Sequence, residues 1–306
     1  MISKEHALIF VRRQTVTNAV FVDSNVPETD YPVWDENETY AEGDEVIVLA
    51  DHGVYVSSDD DNQGNDPLTR PDKWTRRENT NRWKVFDDSL SSRTRHPNLI
   101  TYRLQPGRAI GQVAFMNLRG ATTIRVEIED PVYGVVMDET QHVGSTTPAP
   151  SWWQFFFGDR TTGRAQAVFE VPATYPEAEL RITITGSAAL GVGMIVFGQQ
   201  RRFGYGVQYG ARAGIVTYST VQRDIDGAAT IRKRPFAKRS TLNLALPNDE
   251  VDQLYNYLAQ IESEPVLMIA SKRYETFTGY GIIKNFEIVI PNPSVSDCSI
   301  EFDGMT

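Results

Sequence analysis

Short apolar runs separated by turn residues recur along the whole chain. "HALIFV", "DEVIVLA", "GVYVSS", "LITYRL", "GQVAFMNL", "TTIRVEIED", "RAQAVFEV", "ELRITITG", "GVGMIVFG", "STLNLAL", "EPVLMIA", "FEIVI" and "CSIEF" are each five to nine residues long, bounded by Gly, Pro, Asn or Asp. Many alternate apolar with polar, the period-two signature of a strand, so the chain is predicted to be mainly β. One stretch breaks the pattern. In "PNDEVDQLYNYLAQIESEP" (247–265), Val251, Leu254, Leu258 and Ile261 recur at helical spacing, with Asn248 or Asp249 placed to cap the start and Pro265 to end it.

Composition shifts divide the chain. "ETDYPVW" (28–34) leads into an acidic stretch, "RRENTNR" (76–82) leaves it, and "GQQRRFGYG" (198–206) closes a long strand-rich region. With 306 residues, more than one compact unit is expected. The predicted order is an N-terminal strand segment (1–30), a small β unit (31–77), a middle region (78–200) and a C-terminal unit (201–306). The middle region holds six or seven strand patterns and no helix pattern, as a two-sheet sandwich of the jelly-roll type would. The last unit combines strands with the amphipathic helix, an α+β pattern. No repeat of solenoid length is present.

Charge changes the picture. The net charge of −10 argues against a nucleic-acid groove binder and against an anionic membrane surface. The acids dominate 28–66, whereas bases gather at Arg201, Arg202 and Arg212 and across "TIRKRPFAKRS" (230–240). Arg232, Lys233, Arg234, Lys238 and Arg239 are therefore read as a subunit interface meeting an acidic neighbour, with a solvated basic arm as the alternative. The single cysteine, Cys298, excludes an intrachain disulfide. The five-residue apolar run in "MISKEHALIFVRR" is too short for a signal-peptide core, and no segment approaches the ~20 apolar residues of a membrane span, so cytoplasmic synthesis without membrane insertion is expected.

Catalytic signatures are not found. His6, His52, His96 and His142 lie far apart, Cys298 alternates like a core residue, and "GYGVQYGARAG" (204–214) lacks the Lys-Ser/Thr of a phosphate loop. The pairs Asp87 with Asp88 and Glu127 with Glu129 read as solvated strand faces. A calcium loop starting at Asp59 accepts Asp61 and Gly64 but fails at Gln63 and at Arg70, where a bidentate Glu is needed. No catalytic residue, metal or cofactor is assigned. "SWWQFFFG" (151–158), the densest aromatic run, reads as part core and part subunit contact.

In the acidic unit, Trp34, Tyr40, Tyr55 and Trp74 are either the core of a stretch too short for a large one, or rings for stacking on a sugar. Their spacing, with Gly43, Asp44, Val46, Gly53, Asn62, Gly64 and Pro67, resembles the small chitin-binding-type carbohydrate-binding modules of families 5 and 12 over 31–77. The "SSDDDNQGNDP" loop departs from that family's Ala/Trp-rich one. "NRWKVFDDSLSSRT" (81–94) followed by "ITYRLQPGRAIGQVAFMNLRGATTIRVEI" (100–128) resembles galactose-binding-like jelly rolls. From about 215 to 306, an arm, a strand, a helix, a "PVL" strand and a closing "CSIEFDG" resemble the tail-tube-derived fold of phage distal tail and minor tail proteins.

The last resemblance implies a ring-forming subunit, often a hexamer, in the tail tip or baseplate of a long-tailed phage or prophage-derived particle. The implied partners are further copies of the chain, neighbouring tail proteins and a host-surface glycan; the implied location is the virion tail. The alternative is a free carbohydrate-binding protein, or the accessory part of a glycan-degrading enzyme.

Overall fold

A computed structural model of the chain describes residues 7–144, 164–172, 174–223, 229–234, 236–271 and 274–305. The protein is mainly β, built from antiparallel sheets, with one α-helix among the described residues. The N-terminal segment divides between two sheets. β1 (Leu8–Arg12) lies between strands of the C-terminal sheet, and β2 (Phe21–Ser24) pairs with a strand of the sandwich.

The small acidic unit follows. β4 (Glu45–Val48), β5 (Gly53–Ser57) and β7 (Trp74–Asn79) form a three-stranded antiparallel sheet, with β3 (Thr39–Tyr40) paired to β6 (Asn62–Gln63) beside it. Gly43 makes its turn at φ +90, where a side chain would be strained.

The sandwich faces two sheets. β8 (Thr94–Arg95), β9 (Leu99–Leu104), β11 (Arg119–Asp130), β12 (Gly134–His142) and β14 (Glu179–Val192) join β2 in one; β10 (Gln112–Met116), β13 (Gln166–Glu170) and β15 (Met194–Gly198) form the other. The C-terminal sheet gathers β1 with β16 (Gln200–Phe203), β17 (Gly206–Val207), β18 (Arg212–Thr217), β21 (Phe236–Pro247), β22 (Val266–Ile269), β23 (Thr278–Val289) and β24 (Val295–Gly304). Among the described residues, β19 (Thr220–Arg223) and β20 (Ala229–Arg232) pair only with each other, beyond β18 and β21.

Sandwich and C-terminal sheet are fused, and the strands at the join explain why. β1, β10, β15 and β22 read as continuous apolar runs because both their faces are buried. On β10, Val113 and Phe115 point into the sandwich core, and Ala114 and Met116 into a second core. On β15 the split is Ile195 and Phe197 against Met194 and Val196. Across the second core, β1 presents Ile9 and Val11 and β22 presents Leu267 and Ile269. Their alternate residues, Leu8, Phe10, Val266 and Met268, face the third core, which α1 (Val251–Gln260) covers with Leu254 and Leu258. The order of layers is therefore six-stranded sheet, three-stranded sheet, eight-stranded sheet, helix. Gly198 permits the join, since a Cβ there would sit 2.1 Å from the Arg12 carbonyl oxygen.

The helix starts later than its caps predict. A 3₁₀ turn, Asn248–Glu250, precedes Val251, and no side chain caps the helix. Asn248 is instead drawn to the 292–296 loop, donating to the Asn292 carbonyl and accepting from Ser296 Oγ. Glu250, buried, accepts from the Gly204 amide. The helix ends at Gln260, with Ile261 buried in the same core.

Candidate functional site

The four rings singled out in the acidic unit are brought together, but as its core. Trp74 is 2% exposed and Tyr40 and Tyr55 are each 6% exposed, with Trp34 half-buried against them. Tyr40 meets Trp74 edge-on at 5.2 Å between ring centroids, and Trp74 Nε1 donates to the Asn65 carbonyl. Tyr55 donates to Asp51 Oδ2 at 2.6 Å, and burial is the main cause pushing its hydroxyl up to about 12. The faces of Tyr40, Tyr55 and Trp74 that a pyranose ring would need are thus occupied by neighbours. Tyr40, Tyr55 and Trp74 therefore serve the unit's own core, as a unit this short requires, while Trp34 stays partly exposed beside them.

The acidic loop is held by local bonds. Asp59 pairs with Lys73 at 2.8 Å, Asp60 accepts from the Glu42 amide, and Asp72 takes a guanidinium fork from Arg70 that holds its carboxyl at about 2. Among the described residues, no group of three or more His, Cys, Asp or Glu is placed to hold a metal. Glu36, Glu38, Glu42, Asp60 and Asp61 are exposed and form no ion pair among the described residues. They leave this unit with a rim of free negative charge.

The basic residues divide between two settings. β18 and β21 run in register from Arg212 opposite Thr241 to Thr217 opposite Phe236, and β19 and β20 extend the same ribbon with Val221 opposite Ile231. Arg232, Lys233 and Arg234 lie on this ribbon, exposed and without an ion pair among the described residues. Arg239, at its base, is committed to a fork on Asp303 at 2.7 and 3.1 Å. Lys238 turns inward, donating to Gln166 Oε1 and to the Thr278 carbonyl, and burial draws its ammonium below the ordinary lysine value. So three of the five are available to a partner, while two fasten the ribbon to the body.

The ribbon also displays apolar side chains. Ile215 is 67% exposed, Val221 58%, Ile231 62% and Phe236 54%. An isolated two-stranded ribbon is marginal in water, and the exposed cross-strand pair Val221–Ile231 lacks the burial that stabilises other strands here. The charges of this arm stand out in the sequence, but its apolar residues do not, because their alternation resembles that of any half-buried strand.

The remaining chemical candidates are engaged elsewhere. Asp88 pairs with Arg13, Glu127 with Arg125 and Glu129 with Arg181. Asp87 accepts from Ser92 Oγ and the Ser89 amide while burial raises its pKa. Cys298 is fully buried, its thiol pushed up to about 12 by burial. "SWWQFFFG" (151–158) lies outside the described residues. Among the described residues, no helix is long and apolar enough to cross a membrane.

Comparison with known proteins adds little. No protein family matches the chain, and no curated protein does. Among solved structures, one described as "X-ray crystal structure of reduced XRCC1 bound to DNA pol beta catalytic domain" is similar over 33% of this chain and 74% of that one, at 16% identity and a TM-score of 0.21. A likeness at that score carries no argument about fold or function.

Proposed function

We propose that this chain is a structural subunit of a long-tailed phage or prophage-derived tail tip or baseplate, which assembles head to tail into a ring and contributes to host-surface attachment. The observation that carries the reading is the ribbon. It projects Arg232, Lys233 and Arg234, without an ion pair among the described residues, beside exposed Val221 and Ile231, a composition suited to a protein surface rather than to solvent alone.

The complementary surface is on the same chain. Residues 28–66 contain 13 Asp and Glu and no Lys or Arg, and the rim of Glu36, Glu38, Glu42, Asp60 and Asp61 is without internal ion pairs among the described residues. Two different and mutually attractive patches on one subunit favour heterologous contacts, which close into a ring when the rotation per subunit allows. The fused layers supply a rigid body between the patches. Assembly, rather than chemistry, is the role, and neighbouring tail proteins are further partners.

The test is sedimentation and negative-stain microscopy of the wild type and of the triple variant Arg232→Glu, Lys233→Glu, Arg234→Glu. Closed rings are expected for the wild type and monomers for the variant, with unchanged thermal stability because the three exposed side chains form no ion pair among the described residues. A wild type that stays monomeric at high concentration and never enters tail particles contradicts the reading.

A further inference from the structure

A second concentration of positive charge lies on the sandwich, and it has the form of a cradle. Arg95 of β8 and Arg119 of β11 are both paired opposite Gly191 of β14, one from each side. Residues directly opposite in antiparallel strands project from the same face of the sheet. The two arginines therefore flank a position that carries no side chain, and the space above Gly191 opens as a cavity of about 320 Å³. A Cβ on Gly191 would lie 3.3 Å from Arg93 Cδ and 3.6 Å from Arg95 Cγ, so any larger side chain would grow into that space.

Arg93 closes the third side, its guanidinium fixed by Nε donating to the Asn117 carbonyl and Nη2 to Asn117 Oδ1. Its remaining N–H groups have no partner among the described residues, and Arg95 and Arg119 form no ion pair there. His96 also lines the cavity; its Nδ1 donates to the Leu99 carbonyl at 2.7 Å, so Nε2 is the nitrogen left for a ligand. Among the described residues, no carboxylate lines this cavity. Burial chiefly, and then the charges of Arg119 and Arg95, lower the pKa of Arg93, so the two neighbouring cations add to the cost of its charge. Guanidinium groups gathered without acids suit a planar or tetrahedral oxyanion held by several N–H donors.

The cradle continues into a second cavity of about 560 Å³ that shares Arg93 and Arg95. There the lining changes to Asp30, Tyr31, Asn81, Ser91 and Ser92, with Glu78 held in an ion pair with Lys84 at 3.0 Å. Carboxylates and amides in an open groove suit hydroxyl-rich ligands, and a polyanion such as nucleic acid is opposed by Asp30, which forms no ion pair among the described residues.

We infer that the groove from Gly191 to Tyr31 binds an acidic saccharide, with a phosphate or carboxylate group between Arg93, Arg95 and Arg119 and neutral sugar hydroxyls along the Asp30, Asn81 and Ser92 end. The inference deepens the attachment half of the function proposed above and moves it from the aromatic rings to the joint between the small unit and the sandwich. It does not depend on ring formation.

Isothermal titration with the full chain tests it, using phosphomannan, polygalacturonate, neutral dextran, inorganic phosphate and a single-stranded oligodeoxynucleotide as probes. Phosphomannan or polygalacturonate is expected to bind at least tenfold more tightly than dextran or inorganic phosphate, and whichever of the two binds better identifies the oxyanion. Arg119→Gln and Arg95→Gln, both exposed positions that leave the core untouched, should each weaken that binding at least tenfold with unchanged melting temperature. Gly191→Leu should abolish it by filling the cradle. The inference is overturned if neither charged saccharide binds, if dextran or inorganic phosphate binds as well as they do, if the oligonucleotide binds more tightly, or if the arginine variants bind like the wild type. Loss of saccharide binding with rings intact would defeat the inference alone; loss of rings with saccharide binding intact would defeat only the assembly reading.

Discussion

His52 stacks on Trp83 with ring centroids 3.8 Å apart and planes 14° from parallel. The two residues belong to different units, His52 to the turn between β4 and β5 and Trp83 to the entry of the sandwich. The contact is fixed from both sides of the imidazole, since Nδ1 meets Glu28 Oε1 at 2.8 Å and Nε2 meets Asn18 Oδ1 at 2.6 Å. Glu28 also accepts from Thr80 Oγ1 and pairs with Arg82. Phe21 packs on the same indole. The acidic unit is thereby held to the sandwich by a specific joint rather than hung on a loose linker, and the groove proposed to hold a saccharide depends on that joint.

Truncating the joint should loosen the unit. Trp83 is 5% exposed, so Trp83→Ala is expected to cost about 3–5 kcal/mol of stability. Urea unfolding measures that loss, and limited proteolysis between residues 76 and 82 should accelerate in the variant. His52→Ala should accelerate the same cleavage with a smaller loss of stability, because the indole keeps its contacts with Phe21 and Phe86. Equal cleavage rates in wild type and variants would show that the stack does not hold the unit.

Trp74→Ala should unfold the small unit instead of merely altering a surface. Its ring is buried, and deletion of a buried tryptophan costs about 3–5 kcal/mol. In a unit this small that is most of the available stability. Hydrogen exchange should show lost protection across 39–79 while β10, β15 and β22 stay protected. Retained protection in 39–79 would mean that Trp74 is dispensable to the core.

Stability should fall in acid through forked pairs, among them those of Glu179 and Asp303. Hydrogen bonds from Arg103, with Arg181 beside it, hold Glu179 below its ordinary 4.5, and those from Arg239 hold Asp303 below its ordinary 3.8. A carboxyl whose folded pKa is depressed contributes stability above its unfolded value and loses it as pH falls through the folded one. Asp87 acts in the opposite sense, since burial raises its pKa and its contribution is lost as pH rises. Arg239→Gln removes the Asp303 part alone, so the drop in melting temperature between about pH 6 and about pH 3 should be smaller in the variant than in the wild type. An equal drop would contradict the assignment.

Much of this fold was legible in the sequence, and the misses have physical causes. Strands with an apolar face announced themselves, and so did α1 through Leu254, Leu258 and Ile261. β7 escaped notice because "WTRREN" buries only Trp74 fully, and β12 because its residues are largely exposed. The fusion of sandwich and C-terminal sheet was written in the unbroken apolar runs of β1, β10, β15 and β22. Run length alone does not say which sheets lie on the two sides. For the aromatic rings, spacing placed Tyr40, Tyr55 and Trp74 together, but not on which side of the unit's surface they lie. The arginine cradle had no linear signature, because Arg95, Arg119 and Gly191 meet only through strand register.

Head-to-tail assembly through ribbon and acidic rim is the central claim, and charge exchange tests it most directly. One variant carries Arg232→Glu, Lys233→Glu and Arg234→Glu; another carries Glu36→Lys, Glu38→Lys, Glu42→Lys and Asp60→Lys. In a heterologous ring each variant alone has two surfaces of like charge, whereas in an equal mixture every reversed ribbon can meet a reversed rim and every native ribbon a native rim. Mass photometry should show monomers of each variant alone and rings of alternating subunits in the mixture. A mixture that remains monomeric beside a ring-forming wild type, or single variants that form rings unaided, would contradict the account.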